Sequence, residues 1–417
     1  MNIVDKIITR KAKQEFVESM RFDEGRKPHI PSGDAEKQRL LYLHVPFCEK
    51  LCPYCSFNRV VFEESVCREY FKALRKEIHL YQTMGYEFNG IYVGGGTPTV
   101  LIDELEQTLS LACRGFKIRE ISVETNPNHL TDHNINILKN AGVNRLSVGI
   151  QSFDDGLLKD MDRYEKYGSG ETIAGRLKEI LGTFDTLNAD MIFNFPSQSD
   201  EILDRDLDIL LSSGVDQITY YPLMVSDSTR EIVSRKLGRV DYDKEKRFYR
   251  RICERLTPQY RFSSAWCFSK KDVMIDEYIV EYDEYAGLGS GSIGFLKGSC
   301  YANTFYIPEY IAQLNRGEIP LQASRTFNIR DRMRYDFLMH LFGMKLDVAA
   351  LRQKYNGFFY RYLWLDCLAF YLAGGLRYEA PYFYLTERGR YFWIILMREF
   401  FTAVNNFRDY CRAQIAS

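Results

Sequence analysis

The chain passes from a six-residue apolar stretch, Leu40-Leu-Tyr-Leu-His-Val45, straight into a loop that carries Cys48, Cys52 and Cys55 in the spacing Cys-x3-Cys-x2-Cys. A run of that length and composition is expected to form a strand covered on both faces. The strand fixes where the loop begins, so the three thiols can converge. Thiolates so spaced suit three irons of a cubane cluster and leave the fourth iron without a protein ligand. A closed zinc site would need a fourth donor, for which the nearby His44 lies on the strand, and spacing alone leaves zinc open. A disulfide framework is not expected in a chain this long with no secretory leader, so the ten cysteines point to a reducing, cytoplasmic setting. Cys67, Cys113, Cys253, Cys267, Cys300, Cys367 and Cys411 stand singly outside the loop and read as small core residues.

The pattern then repeats. Short runs dense in β-branched or aromatic residues recur at Gly90–Val93, Glu120–Glu124, Arg145–Ile150, Ala189–Phe193 and Gln217–Tyr221, with amphipathic helical periods between them at 63–84, 102–113, 131–141, 171–184 and 200–213. Six strand–helix repeats predict an α/β fold, a parallel sheet curled into a partial (βα)6 TIM-like barrel, whose functional loops lie at the carboxyl ends of the strands. Four regions follow: a helical extension over 1–39, with a helix from Ile3 to Met20 and a connection from Gly25 to Gly33; the core, 40–240; a core-completing mixed segment, 241–324, with the glycine cluster Gly287 to Gly294; and a mainly helical C-terminal domain, 325–417.

Net charge is −1 and gives no argument for a nucleic-acid partner, but residues 325–417 hold 14 Lys/Arg against 8 Asp/Glu and 23 of the 60 aromatic residues. Such a region is either a small aromatic core with a solvated arginine surface or a surface for an apolar partner. Its longest apolar run, Tyr391 to Met397, falls far short of the roughly 20 residues that span a bilayer.

From Tyr42 to Phe57 the sequence reads Tyr-x-His-x-Pro-Phe-Cys-x3-Cys-x-Tyr-Cys-x-Phe. This resembles the signature of the radical S-adenosylmethionine (SAM) enzymes, and within them the oxygen-independent coproporphyrinogen III oxidase-like (HemN-like) group. The resemblance implies a [4Fe–4S] cluster on Cys48, Cys52 and Cys55, which also makes these the catalytic residues, and SAM on its open iron. Gly94-Gly-Gly-Thr-Pro98 is similar to the SAM methionine-binding motif, which assigns Gly95, Gly96 and Thr97 to the cofactor; glycines also let backbone amides approach a ligand closely. Tyr42, Tyr54, Glu124, Gln151, Arg163 and Asp190 match the family's other SAM-contacting positions. A carboxylate at a strand end suits ribose hydroxyls or an ammonium, and an arginine suits a carboxylate. One electron, from a donor such as flavodoxin or ferredoxin, would then break a carbon–sulfur bond of SAM and release a 5′-deoxyadenosyl radical.

The family implies a second SAM and several branches. Coproporphyrinogen oxidases carry an Arg-Tyr-Thr-Ser-Tyr-Pro-type stretch, where this chain has Arg26-Lys-Pro-His-Ile-Pro31. Haem chaperones carry His-Asn-x-x-Tyr-Trp before the glycine cluster; here Asp276 to Tyr285 has neither that histidine nor that tryptophan. The remaining resemblance is to the class C methyltransferases, and the aromatic stretches Leu385–Trp393 and Arg398–Phe407 resemble the menaquinone C8-methyltransferases. The expected function is thus methylation of an sp2 carbon of an aromatic substrate, menaquinone favoured, with the basic rim resting on the inner membrane face. An oxygen-independent coproporphyrinogen III oxidase-like or other tetrapyrrole-modifying radical SAM enzyme and a non-catalytic haem chaperone are the alternatives.

Overall fold

The computed structural model describes residues 3–22, 28–272, 274 and 276–415, so Gly25, Arg26 and Lys27 of the N-terminal connection lie outside the described residues. The apolar runs form parallel strands β1 (Leu40–Val45), β2 (Gly90–Gly95), β3 (Glu120–Thr125), β4 (Arg145–Gln151), β5 (Thr186–Phe193) and β6 (Gln217–Pro222), laid side by side in that order. All six residues of β1 are buried, as a strand with both faces covered requires. α1 (Ile3–Ser19) precedes the sheet, and α2 (Glu64–Thr83), α3 (Ile102–Gly115), α4 (Asp132–Asn140), α5 (Gly170–Glu179) and α6 (Asp200–Ser213) run between its strands in turn.

The sheet continues beyond these six strands. β7 (Cys267–Ser269) pairs antiparallel with β6, and on the other edge β8 (Tyr285–Leu288) runs parallel to β1, followed by antiparallel β9 (Ile293–Leu296), β10 (Ser299–Asn303) and β11 (Leu321–Thr326). With a short strand at Arg261–Phe262, the described residues form one mixed sheet of twelve strands.

The glycine cluster explains how β8 is locked beside β1. Gly289 has φ +100°, and a Cβ there would stand 2.4 Å from the His44 carbonyl oxygen. Around this contact, Tyr70 donates to the same carbonyl at 2.7 Å and accepts from the Ser290 amide at 2.9 Å, while the Gly289 amide donates to buried Glu77 at 2.8 Å.

Past β11 the chain is mainly helical: α7 (Tyr242–Leu256) has already covered the sheet, and α8 (Ile329–Phe342), α9 (Phe359–Leu372) and α10 (Glu387–Ile415) surround a small three-stranded sheet. Here the aromatic stretch is core. Tyr391, Phe392, Trp393, Ile394 and Ile395 are 0–4% exposed, and the Trp393 ring packs on Phe370 at 5.0 Å while its Nε1 donates to the Leu338 carbonyl at 2.9 Å. The far half of α10 returns to the front of the sheet and packs on α1, with Phe16 edge-on to Phe400 at 5.5 Å. Arg325 at the end of β11 ties down the other end of α1, donating to the carbonyls of Glu18 and Ser19 at 2.8 and 2.7 Å. Among the described residues, no helix is long and apolar enough to cross a membrane. Of the seven single cysteines, Cys113 on α3 is exposed and the others are buried.

Candidate functional site

A cavity of about 460 Å³ opens at the carboxyl ends of β1 to β6, roofed by α1 and α10. Its size falls within the roughly 300–1,000 Å³ of small-molecule sites. Cys48, Cys52 and Cys55 all line it. The Phe47–Cys48 segment pairs with Val60–Val61, which closes the base of the loop. Arg59 then draws its tip together, Nη2 donating to the carbonyls of Cys52 and Cys55 at 2.5 and 2.7 Å. Burial pushes the Cys48 thiol up to about 11.

Tyr42, Tyr54, Gly95, Gly96, Glu124, Gln151, Arg163 and Asp190 line the same cavity. Thr97 does not: it is buried behind Cys48, 3.7 Å from that sulfur, and accepts from Asn126 Nδ2 at 2.8 Å. Gly95 has φ +117°, and a Cβ on it would meet the His44 ring at 2.7 Å; one on Gly96 would meet the Phe47 carbonyl at 2.6 Å. The Gly95 amide donates to Glu124 at 3.1 Å. Gln151 follows a register shift in β4 and has φ +75°, a left-handed conformation uncommon outside glycine that aims the end of the strand into the cavity. Arg163 spans the floor, with Nη1 3.6 Å from the Cys52 sulfur, Nη2 3.2 Å from Asn126 and the guanidinium 4.2 Å from the Tyr167 ring centroid; its buried Nε has no acceptor.

His44 connects strand, loop and cavity. Its Nε2 lies 2.9 Å from the Asn58 carbonyl, which can only accept, so Nε2 carries the proton and Nδ1 accepts from the Tyr42 hydroxyl at 2.9 Å. Burial pulls the imidazole down to about 3, so it stays neutral. Tyr42 in turn stacks on Tyr278 at 5.3 Å.

The wall opposite the cysteines is acidic. Glu124, Asp190, Asp276 and Glu277 face the cavity, and buried Arg145 lies beneath them. Arg145 pairs with Asp276 and also donates to Gln217 at 2.8 Å and Ser122 at 2.9 Å. Tyr92 donates to Glu124 at 3.0 Å and to Asp276 at 3.2 Å, and Tyr221 bonds Asp276 as well. Burial, reinforced by the neighbouring Asp276, raises Glu124 to about 7, Glu277 to about 8 and Asp190 well above its ordinary range. Elsewhere, burial lifts Glu77 and Asp206 to about 7.

A carboxyl whose folded pKa exceeds its unfolded value binds more protons when folded, so its contribution to stability is full below the unfolded value and is lost as pH rises through the folded one. The urea midpoint is therefore expected to fall between about pH 5 and pH 8, and Glu124→Gln to flatten part of the fall. Asp34 and Glu49, lowered by their basic partners, have completed their opposite contribution below that window. Equal midpoints at both ends of the range would show that these acids are not buried as described.

Residues 42–208 match the Radical SAM superfamily. The solved coproporphyrinogen III oxidase HemN of Escherichia coli superposes with a TM-score of 0.74 over 93% of each chain at 22% identity, a likeness of fold. The haem chaperone HemW of Bacillus subtilis is 28% identical over 330 residues, 75% of this chain and 85% of that protein. The oxygen-independent coproporphyrinogen III oxidase of Bradyrhizobium diazoefficiens is 34% identical over 180 residues, 41% of this chain and 38% of that one. The matched stretch holds the three-cysteine loop and runs from β1 through β5 into α6, on a fold like that of HemN. The relatives it resembles in sequence are a haem chaperone, HemW, and an oxygen-independent coproporphyrinogen III oxidase.

The superfamily implies a [4Fe–4S] cluster and SAM. The cavity fits both: three sulfurs converge in it, the glycine segment has no room for side chains, and the Arg163 Nε awaits an acceptor. The methyltransferase and menaquinone expectation is corrected, because the relative that spans most of this chain is a haem chaperone. Physically, it rested on an aromatic stretch that could read as a cleft wall, and most of Tyr391–Met397 is buried core. The missing histidine and tryptophan before the glycine cluster do not set the chain apart, since its likeness to the haem chaperone extends over 75% of its length.

Several cavity residues escaped sequence reasoning. Tyr92 is in register with Tyr42 across β1 and β2, and that pairing of strands was a usable signal. Asp276 and Glu277 had none, since only the parallel pairing of β8 with β1 brings the segment before Tyr285 to the cavity. Arg408 on α10 had none either.

Proposed function

We propose that this chain is a tetrapyrrole-handling radical SAM protein of the haem chaperone type, holding haem in the cavity beneath α1 and α10. The observation that carries this reading is the extent of likeness to the Bacillus subtilis haem chaperone HemW, which runs through 85% of that protein rather than through the core alone. In this reading Cys48, Cys52 and Cys55 hold three irons, and Gly95, Gly96, Glu124, Gln151, Arg163 and Asp190 hold SAM, with Tyr42 and Tyr54 flanking the loop and Thr97 supporting Cys48 from behind. When bound, the cluster and SAM supply one-electron cleavage of the sulfonium's carbon–sulfur bond. The chain's own part is positional. Arg59 shapes the loop, neutral His44 fixes Tyr42, and the raised carboxyls offer both proton donors and acceptors at the wall. α1 and α10 exclude water.

A second reading has one observation in its favour. Asp276, in the segment that lacks the histidine and tryptophan, is wired to Tyr92, Tyr221 and Arg145 in the cavity, an arrangement suited to proton handling in catalysis on a porphyrinogen. Titration of haem into the clustered chain separates the two. The chaperone type is expected to bind about one haem per chain, with a saturable Soret change, and to release less than one 5′-deoxyadenosine per chain when reduced with SAM. No saturable haem binding, together with many turnovers on coproporphyrinogen III, would replace it by the oxidase-like reading.

A further inference from the structure

Helix α10 carries into the cavity a positive charge, that of Arg408, which pairs with no carboxylate among the described residues. Arg408 is only 8% exposed and lines the cavity, with its guanidinium 5.1 Å from the centroid of the Phe57 ring. One N–H group reaches Asn405 Oδ1 at 2.9 Å, and the buried Nε has no acceptor. Tyr42, Tyr278, Cys55 and the like charge of Arg412 are the neighbours that act on it most, and burial lowers its pKa. Arg59 repeats the situation in the same cavity: Nη2 is used on the cysteine loop, while its buried Nε and Nη1 have no acceptor.

A guanidinium cannot shed its proton to escape burial, so an unpaired one deep in a protein is costly unless an anion arrives. Leaving it unpaired makes sense where the ligand brings that anion. Of the carboxylates that line the cavity, Glu124, Asp190, Asp276 and Glu277 form the acidic wall and Glu15, Glu18 and Asp331 stand on α1 and α8, while these guanidiniums lie on α10 and at the end of the cysteine loop. A ligand that is acidic at its edge is oriented by such a field, its carboxylate turned away from Glu124 and Asp276. The planar fork of arginine suits a carboxylate in particular.

We propose that Arg408, with Arg59 lining the same cavity, is the anchor for a carboxylate on the cavity's ligand. On the reading above, which this inference presupposes, that carboxylate is a propionate of a tetrapyrrole.

Haem and haem dimethyl ester, titrated into the clustered full-length chain, test this. The free acid is expected to bind roughly 10–100-fold tighter than the ester, the size of a charge-assisted pair. Arg408→Gln should weaken the free acid alone and erase the difference, and Arg408→Lys should keep part of it. Acid-labile sulfide is measured throughout, because Cys55 lies close enough for the cluster to be the anion instead. Equal affinity of acid and ester in the wild type, equal weakening of both in Arg408→Gln, or lost sulfide with the acid preference intact would each overturn the anchor. If neither probe binds the wild type, the tetrapyrrole reading itself fails. The wild-type comparison and Arg408→Lys decide the matter even if Arg408→Gln does not fold.

Discussion

Cys55→Ala is expected to leave a folded chain that assembles no iron–sulfur cluster after anaerobic reconstitution. The three thiols come from one loop whose carbonyls at positions 52 and 55 are held by a single guanidinium, so removing one sulfur leaves two ligands and no substitute within the loop. His44 cannot step in, because both ring nitrogens are engaged, by the Asn58 carbonyl and the Tyr42 hydroxyl. Loss of an outer-shell partner costs a metal site roughly 10–100-fold in affinity, and loss of a ligand should exceed that. Iron and sulfide per chain, with the charge-transfer absorbance, measure the effect, and Cys48→Ala and Cys52→Ala should behave alike. Cys267→Ser is the control, a buried cysteine on β7 outside the loop, and should retain the cluster. A Cys55→Ala chain with wild-type sulfide would remove that residue from the ligand set.

The cysteine loop was legible because everything that forms it is local. The strand before it occupies Leu40–Val45, the bounds that its apolar run predicts, and α6 likewise spans 200–213. Both ends of α6 are chemically marked: Ser199 accepts from the Ile202 amide, and Gly214 has φ +81°. Less marked elements drift. The fifth strand begins at Thr186, three residues before the apolar run suggests, and α5 ends at Glu179, short of the expected 184.

Glu124 and Asp190 of the acidic wall were legible as strand-end carboxylates, but Asp276, Glu277 and the roof were not, and the reason is range rather than subtlety. Arg145 meets Asp276 and Arg408 meets Phe57 only after the sheet has been assembled, and no local pattern carries that information. Aromatic density in the last quarter of the chain is ambiguous on its own terms. A core and a cleft wall draw on the same residues, and only packing assigns Trp393 to one and Phe401 to the other.

The Arg145–Asp276 pair supplies the second large effect, and its two halves are expected to fail differently. Both are essentially fully buried, at 0% and 1% side-chain exposure. Asp276→Ala strands a guanidinium that retains Gln217 and Ser122 as neutral acceptors but cannot lose its charge, a defect of roughly 3–5 kcal/mol. Arg145→Met strands a carboxylate instead, and a carboxylate can take up a proton while Tyr92 and Tyr221 still bond it. Its deficit should therefore be smaller at low pH and grow as pH rises, since proton uptake relieves the buried charge. Denaturant midpoints at about pH 6 and pH 8 read this directly. Asp276→Ala should lose somewhat less at the higher pH, because Glu124 and Glu277 are then freed of a like charge, and Arg145→Met should lose more there. The same pH dependence in both variants would mean that Glu124 and Asp190, not Asp276, hold the charge that Arg145 neutralises, and the acidic wall would have to be redrawn around them.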